Sequence, residues 1–319
     1  MHNPETSVII TTYNRRKFLE GAVSSVLAQT YPDFELIIVD DASSEDVVGM
    51  LGEKFKPEMD QGRIRYIRND LNRERSYSRN RAMETSAAQY FSFLDDDDIW
   101  LDTHLKDAVG FLKDNPDTRA VFTNCIIDFP PAAPFILRKG LETGKGRRYK
   151  DMCINRQLVS GSTYTIAREV YDKLGGFTCG IEPAEDREYL ARIVMNYNVG
   201  YVATATVRKL NPPDSFRARV IERHTTLAKE RCWFLIQENS RKFSYPLSRG
   251  IRCSWYLHLA MSFLPELGKT KFYLGRAIMV YPLCLFYGAT WSLILRVMMG
   301  RGIYAFFKGL KSKSGARPC

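Results

Sequence analysis

The sequence predicts an α/β fold built on a doubly wound, mainly parallel sheet. Three observations carry that prediction. Short apolar, β-branched runs recur at residues 7–12, 34–39, 63–67 and 90–94, with helical patterns between them. Buried parallel strands and their crossover helices produce that alternation. Three of the four runs end in polar or acidic residues, at the sheet edge where ligands bind in such folds. The 319 residues are 45% hydrophobic and 26% charged, which excludes disorder, collagen and coiled coil as global descriptions. A chain of this length buries a substantial core without disulfide staples.

The elements follow in order. After the first strand, Asn14 is placed to cap a helix whose apolar face is Phe18, Leu19, Ala22, Val23, Val26 and Leu27. Tyr31-Pro32-Asp33 ends it. The second strand runs into Asp40-Asp41, and a short helix starts near residue 45. A helix over about 73–87 follows the third strand, and the fourth ends in Asp95-Asp96-Asp97-Asp98. Residues 128–150 hold Pro130, Pro131, Pro134, Gly140, Gly144 and Gly146 beside Lys145, Arg147 and Arg148, and read as a mobile loop with solvated charges. A strand is expected over 160–167 and a short helix over 168–174, closed by Gly175-Gly176. Pro183 precedes a helix over about 184–196, and 201–207 is the last strand. From residue 216 the pattern turns helical and basic, so the chain is read as a domain over 1–215 and a C-terminal region over 216–319. No internal repeat is visible.

Seven cysteines without a CxxC pair read as reduced thiols in a cytosolic compartment. The N-terminus has neither a basic start nor a long apolar run, so no signal peptide is expected. The net charge is +10, but residues 201–319 carry 20 Lys and Arg against 5 Asp and Glu. An anionic partner is expected at that end: a membrane surface, nucleic acid or a phosphorylated substrate.

The aspartate run is the strongest chemical signal. Neighbouring carboxylates about 4 Å apart repel by about 1 kcal/mol even in water, and a divalent cation would relieve this. Taken alone, such a run is more often a solvated loop. At the C-terminal edge of a buried strand, an oxygen-only set points to a hard ion such as Mg²⁺ or Mn²⁺ shared with a diphosphate. If strand geometry persists, Asp95 and Asp97 point to one side.

These residues resemble those of family 2 glycosyltransferases. The likeness lies in Val8-Ile9-Ile10-Thr11-Thr12-Tyr13-Asn14-Arg15, Ser24 to Thr30, Glu35 to Ser43, Ser78-Arg79-Asn80, Phe93 to Trp100, Lys173-Leu174-Gly175-Gly176-Phe177 and Glu185-Asp186. The series, in this order, covers about residues 6–215. The resemblance implies a GT-A, Rossmann-like fold and a nucleotide-sugar donor, usually a UDP-sugar. It implies nucleotide-sugar contacts from Thr12, Tyr13, Asp41, Arg79, Asp95 and Asp96, with Asp41 on the uracil ring. It implies Asp97 as the metal ligand for Mn²⁺ or Mg²⁺ and Asp186 as the catalytic base of an inverting reaction. Thr178 and Ser78 depart from the family's usual residues without removing a catalytic group. Read without the family, Asp186 is an acid favoured by a helix N-terminus, Arg79 a solvated helix residue, Asp41 a turn former and His224 a structural or surface residue.

Residues 241–319 hold 13 Lys and Arg and one acid, Glu266. Residues 277–295 carry no charge over 19 positions, roughly 28 Å as a helix. Pro282, Gly288, Thr290 and Ser292 interrupt them, and basic clusters stand on both sides. Helices lying in the membrane interface, tied by basic residues to anionic lipid, are favoured; a spanning helix and a cap on the core are the alternatives. The function expected is a glycosyltransferase at the cytoplasmic face of a bacterial membrane. Its acceptor would be a glycan or polyprenyl-diphosphate-linked glycan of surface-polysaccharide synthesis, with no nucleic-acid partner. A nucleotidyltransferase should show a Gly-rich loop after the first strand, where this chain has Thr11-Thr12-Tyr13-Asn14. The remaining alternative is a non-catalytic membrane- or nucleic-acid-binding protein on a degenerate GT-A scaffold.

Overall fold

The computed structural model describes residues 3–154, 161–210, 222–263 and 266–286. The chain divides into two compact units, Met1–Tyr245 and Pro246–Cys319. The boundary expected at 215 falls in 211–221, outside the described residues.

The first unit opens with β1 (Thr6–Thr12), α1 (Arg16–Leu27), β2 (Phe34–Asp40), α2 (Val47–Lys54), α3 (Lys56–Asp60), β3 (Ile64–Arg68), α4 (Glu74–Thr85) and β4 (Tyr90–Asp95). It continues with β5 (Asp98–Trp100), α5 (His104–Asp114), β6 (Thr118–Asp128), β7 (Phe135–Ile136), β8 (Gly144–Lys145), α6 (Arg147–Ile154), β9 (Tyr164–Ala167), α7 (Arg168–Leu174), α8 (Glu185–Asn196), β10 (Asn198–Leu210) and α9 (Glu222–Lys242).

The strands form one sheet in the order β3-β2-β1-β4-β9-β6-β10-β5. β1 lies between β2 and β4, parallel to both, and β2 is parallel to β3. Val8, Ile9 and Ile10 of β1 and Leu36 to Val39 of β2 are buried on both faces, which is why these strands read as unbroken apolar runs. The register sets Thr12 opposite Asp40 and Thr11 opposite Asp95, so three strands end side by side. Beyond β4 the sheet is mixed: β9 is antiparallel to β4 and β6, β10 is parallel to β6, and β5 is antiparallel to β10. The doubly wound parallel half is thus as expected, with a mixed extension added to it.

Two local expectations are corrected. Asn14 does not cap α1: it has φ +52°, its Oδ1 accepts from the Ser44 N–H at 2.7 Å, and the helix begins after Arg15. Asn is among the few residues that tolerate that region, so it serves the turn instead. Residues 128–150 are not a free loop. β7 pairs with β6, β8 pairs with β10, and α6 begins at Arg147. Buried Tyr149 pins the segment, stacking on Tyr201 at 5.7 Å and donating to the Glu142 carbonyl. Two-residue pairings carry no periodic signal, so the sequence could not display them. The elements α5 and β6 add a helix and a long strand between the acid run and this segment.

The second unit contains α10 (Arg249–Ser262) and α11 (Leu267–Val280), followed by a 3₁₀ turn over Pro282–Phe286. Ser248 caps α10 by accepting from the Ile251 N–H. Tyr273 of α11 stacks on Phe263 and Tyr256 at 5.7 and 6.3 Å. Of the apolar stretch 277–295, residues 287–295 lie outside the described residues, as do all of 296–319. Among the described residues no helix is long and apolar enough to cross a membrane.

Candidate active site

The site forms where β1, β2 and β4 end. The Asp41 N–H donates to the Thr12 carbonyl at 2.9 Å, and the Thr12 hydroxyl donates to Asp96 Oδ2 at 2.8 Å. Asp41 is itself oriented: its Oδ1 accepts from Asn69 Nδ2 at 2.7 Å and from the Arg73 N–H at 3.0 Å. Its neighbour Asp40 is fully buried on Tyr66, Arg68 and the Ser43 N–H, which fixes the turn that presents Asp41.

The acid run is a tight turn between two strands. Asp95 closes β4, Asp96 and Asp97 form the turn, and Asp98 opens β5. Strand geometry does not persist past Asp95, yet Asp95, Asp97 and Asp98 still converge, with a carboxylate oxygen from each within 4.8 Å of the others. Three cations compensate the cluster. Arg15 spans Asp96 and Asp97 at 2.8 and 2.6 Å. Arg79 reaches Asp95 at 2.9 Å, and Lys209 reaches Asp98 at 2.5 Å and Asp95 at 3.7 Å. Part of the repulsion expected of the acid run is therefore relieved by these side chains.

The four acids differ in their surroundings. Burial pushes the Asp96 carboxyl up to about 7, against the pull of Arg15. Burial likewise raises Asp98 to about 6, with Lys209 opposing it. For Asp95 burial is outweighed by Lys209, Arg79 and Arg75, and its carboxyl is held well below the usual range. Asp98 has both oxygens engaged, Oδ2 by Lys209 and Ser162 and Oδ1 by the Leu210 N–H. It acts as an anchor. Ser162 also accepts from the Asp95 N–H, and its carbonyl accepts from Trp100 Nε1, with His104 stacked on Trp100 at 4.0 Å. A hard, oxygen-only set of converging carboxylates is the donor chemistry that Mg²⁺ or Mn²⁺ takes, so the residues fit such an ion.

Arg79 ties the turn to α8. Its guanidinium, 4% exposed, contacts Asp95 on one side and Glu185 Oε1 at 3.3 Å on the other. Glu185 is buried, and burial raises its carboxyl to about 7, with Arg75 opposing the rise and Asp186 and Glu182 adding to it. Asp186, one residue on, is half-buried at the start of α8 and accepts from the Arg187 N–H through Oδ1.

Of the residues singled out in the sequence, Thr12, Asp41, Arg79, Asp95, Asp96, Asp97 and Asp186 thus share one edge of the sheet. Tyr13 stands beside them with 42% of its surface exposed. Lys145 pairs with Asp117 and Arg147 with Asp151, both at the surface, as solvated charges do. The side chain of His224 lies outside the described residues. Sequence reasoning missed Arg15, Arg75, Ser162, Glu182 and Lys209. Arg15 stood in the opening motif without a role. Lys209 lay two residues past the expected end of the last strand, where only β10's added length brings it to Asp98.

Residues 7–175 match the family model described as Glycosyl transferase family 2. An uncharacterized glycosyltransferase of Haemophilus influenzae is 25% identical over 208 residues, covering 65% of this chain and 66% of that one. The GalNAc(5)-diNAcBac-PP-undecaprenol beta-1,3-glucosyltransferase of Campylobacter jejuni is 33% identical over 126 residues, and the match spans 39% of each chain. The chain thus spans less than two thirds of either relative. Among solved structures, S. aureus TarS 1-349 in complex with UDP-GlcNAc superposes with a TM-score of 0.61 at 15% identity, over 87% of this chain and 89% of that one. At that identity the likeness is one of fold.

Proposed function

The chain belongs to glycosyl transferase family 2 and has its GT-A fold, and from that premise we propose that it is an inverting, divalent-metal-dependent glycosyltransferase. The reading is that it moves a sugar from a UDP-sugar to a hydroxyl of a glycan or lipid-linked glycan in bacterial surface-polysaccharide synthesis. One observation carries it. The Arg79 guanidinium joins the acid turn, the end suited to a diphosphate, to Glu185 beside Asp186, the end suited to accept a proton.

Each residue then has a role. Thr12, Tyr13, Asp41, Arg79, Asp95 and Asp96 form the nucleotide-sugar side. Asp41, already oriented by Asn69 and the Arg73 amide, accepts a hydrogen bond from the uracil N–H. Asp97, with Asp95 beside it, would hold Mn²⁺ or Mg²⁺, which supplies positive charge at the leaving diphosphate when bound. Asp186 takes the proton of the acceptor hydroxyl as its oxygen bonds to the anomeric carbon, and the bond to the diphosphate oxygen breaks on the opposite face. Configuration therefore inverts.

The relatives support the partners. The TarS structure holds UDP-GlcNAc, and the name of the Campylobacter enzyme carries an undecaprenol-linked glycan. The basic C-terminal third suits an anionic membrane surface at its cytoplasmic side. The test is UDP release from a panel of UDP-sugars with and without Mn²⁺, with the product's anomeric configuration read by NMR. Metal-dependent release and an inverted product are expected. Release from no UDP-sugar, or a retained configuration, would overturn the reading.

A further inference from the structure

The geometry of α11 points to an inference about how the second unit meets its surroundings: we propose that its outward face is a docking surface for an anionic lipid bilayer. The inner face of α11 is committed. Thr270, Tyr273, Leu274 and Ala277 are buried, and Ala277 joins Cys253 and Cys284 in the unit's small core. The outer face is not the uniformly polar one that a water-facing helix would show: large apolar side chains stand there among the cations. Phe272 and Met279, seven residues apart and so on one side of the helix, are 54% and 75% exposed. Leu283, in the turn that follows, is 56% exposed.

Cations flank this apolar stripe. Lys271 and Arg276 are exposed, and the Arg276 guanidinium lies over the Phe272 ring at 5.3 Å. Apolar side chains interleaved with cations suit a helix lying in a headgroup layer, with the rings and thioether below and the charges at the phosphates. Charge complementarity selects the occupant. Residues 241–319 carry 13 Lys and Arg and a single acid. A second copy of the same face would set cation against cation, whereas an anionic bilayer neutralises both. The inference deepens the proposed function, resting on its lipid-linked acceptor for the reason a bilayer should be near.

The experiment uses the full chain and sedimentation with vesicles of phosphatidylcholine alone or with phosphatidylglycerol added. Binding only to the phosphatidylglycerol vesicles is expected. A triple variant, Phe272→Ser, Met279→Ser and Leu283→Ser, changes exposed residues and should weaken it about tenfold. Lys271→Glu with Arg276→Glu, which leaves every apolar residue in place, should weaken it by at least as much. Wild-type-like binding by both variants would overturn the proposal. So would a dimeric wild type whose triple variant is monomeric yet binds vesicles normally, because the face would then join two copies. UDP release with a soluble acceptor is followed in parallel. If the wild type binds vesicles through this face but releases no UDP, the catalytic reading fails and the docking surface stands.

Discussion

Asn80 holds Phe177 by both polar atoms of its amide. Its Oδ1 accepts from the Phe177 N–H at 2.7 Å, and its Nδ2 donates to the Phe177 carbonyl at 2.9 Å. The preceding residue, Arg79, lies over the Phe177 ring at 5.1 Å while it spans Asp95 and Glu185. Adjacent residues of α4 therefore fix the Gly-Gly-Phe loop and the two acidic ends of the site together. Two sequence motifs almost a hundred residues apart are halves of one clamp.

The clamp makes a coupling prediction. A Cβ on Gly176 would stand 2.1 Å from Asn80 Oδ1, too close for any real contact. Gly176→Ala and Asn80→Ala should each destabilise by about 1–3 kcal/mol, through lost hydrogen bonds and a displaced amide. In the double variant the amide that clashes is gone, so the combined loss should fall short of the sum by about 1 kcal/mol or more. Urea unfolding of the four proteins checks this; additive losses would mean that the two residues do not share the clamp.

Asp186→Asn should leave UDP affinity near normal by calorimetry, since donor binding needs no base. Transfer should fall by about 10²–10⁴-fold. Glu185→Gln should cost less, because Glu185 is buried and its carboxylate is engaged by Arg79 and Arg75. Wild-type transfer by Asp186→Asn alongside an inactive Glu185→Gln would reverse the assignment of the base.

Asp97→Asn should abolish Mn²⁺-dependent UDP release. Stability without metal should change by no more than about 1 kcal/mol, because Arg15 keeps its contact with Asp96. Thermal melts with and without Mn²⁺ separate the two effects: Mn²⁺ should raise the melting temperature of the wild type and leave that of the variant unmoved. A variant stabilised by Mn²⁺ as much as the wild type would remove Asp97 from the metal site.

His104 gives a pH dependence of stability. It is fully buried, with Nδ1 on the Thr206 hydroxyl and the ring on Trp100, and burial lowers its pKa to about 3. The unfolded chain, with an imidazole near 6.5, binds the proton first, so this group's contribution is present above about pH 6.5 and is lost as pH falls toward 3. Between pH 7.5 and 5.5 the wild type should lose about 1.4 kcal/mol that His104→Phe does not lose. Parallel slopes for the two proteins in denaturant unfolding at those pH values would show that the imidazole does not titrate on unfolding.

Much of the site was legible because its residues are local to strand ends. The runs into Asp40-Asp41 and Asp95 to Asp98 mark the C-terminal edges of β2 and β4, and parallel register alone sets those edges beside Thr12. The partners of the acids were not legible. Arg15, Arg79 and Lys209 come from the approach to α1, from α4 and from β10, and Lys209 stands 111 positions from the Asp98 it pairs with. No period in the sequence records such pairings.

The sequence by itself determined the parallel half of the sheet, the acid run at the end of β4 and the Gly175 helix stop, which the structure shows at φ +75°. Each of these follows from short-range chemistry: apolar runs, carboxylate spacing and a residue free to take a left-handed turn. Tertiary structure decided the mixed half, with β9 inserted antiparallel between β4 and β6, and the folding of residues 128–150 onto the sheet edge. It also decided which carboxylates of the acid run are half-buried and which are buried, and which cation pairs with each. Those outcomes depend on which distant backbone and side-chain groups compete for the same hydrogen bonds and the same dry space, and only the assembled chain brings the competitors together.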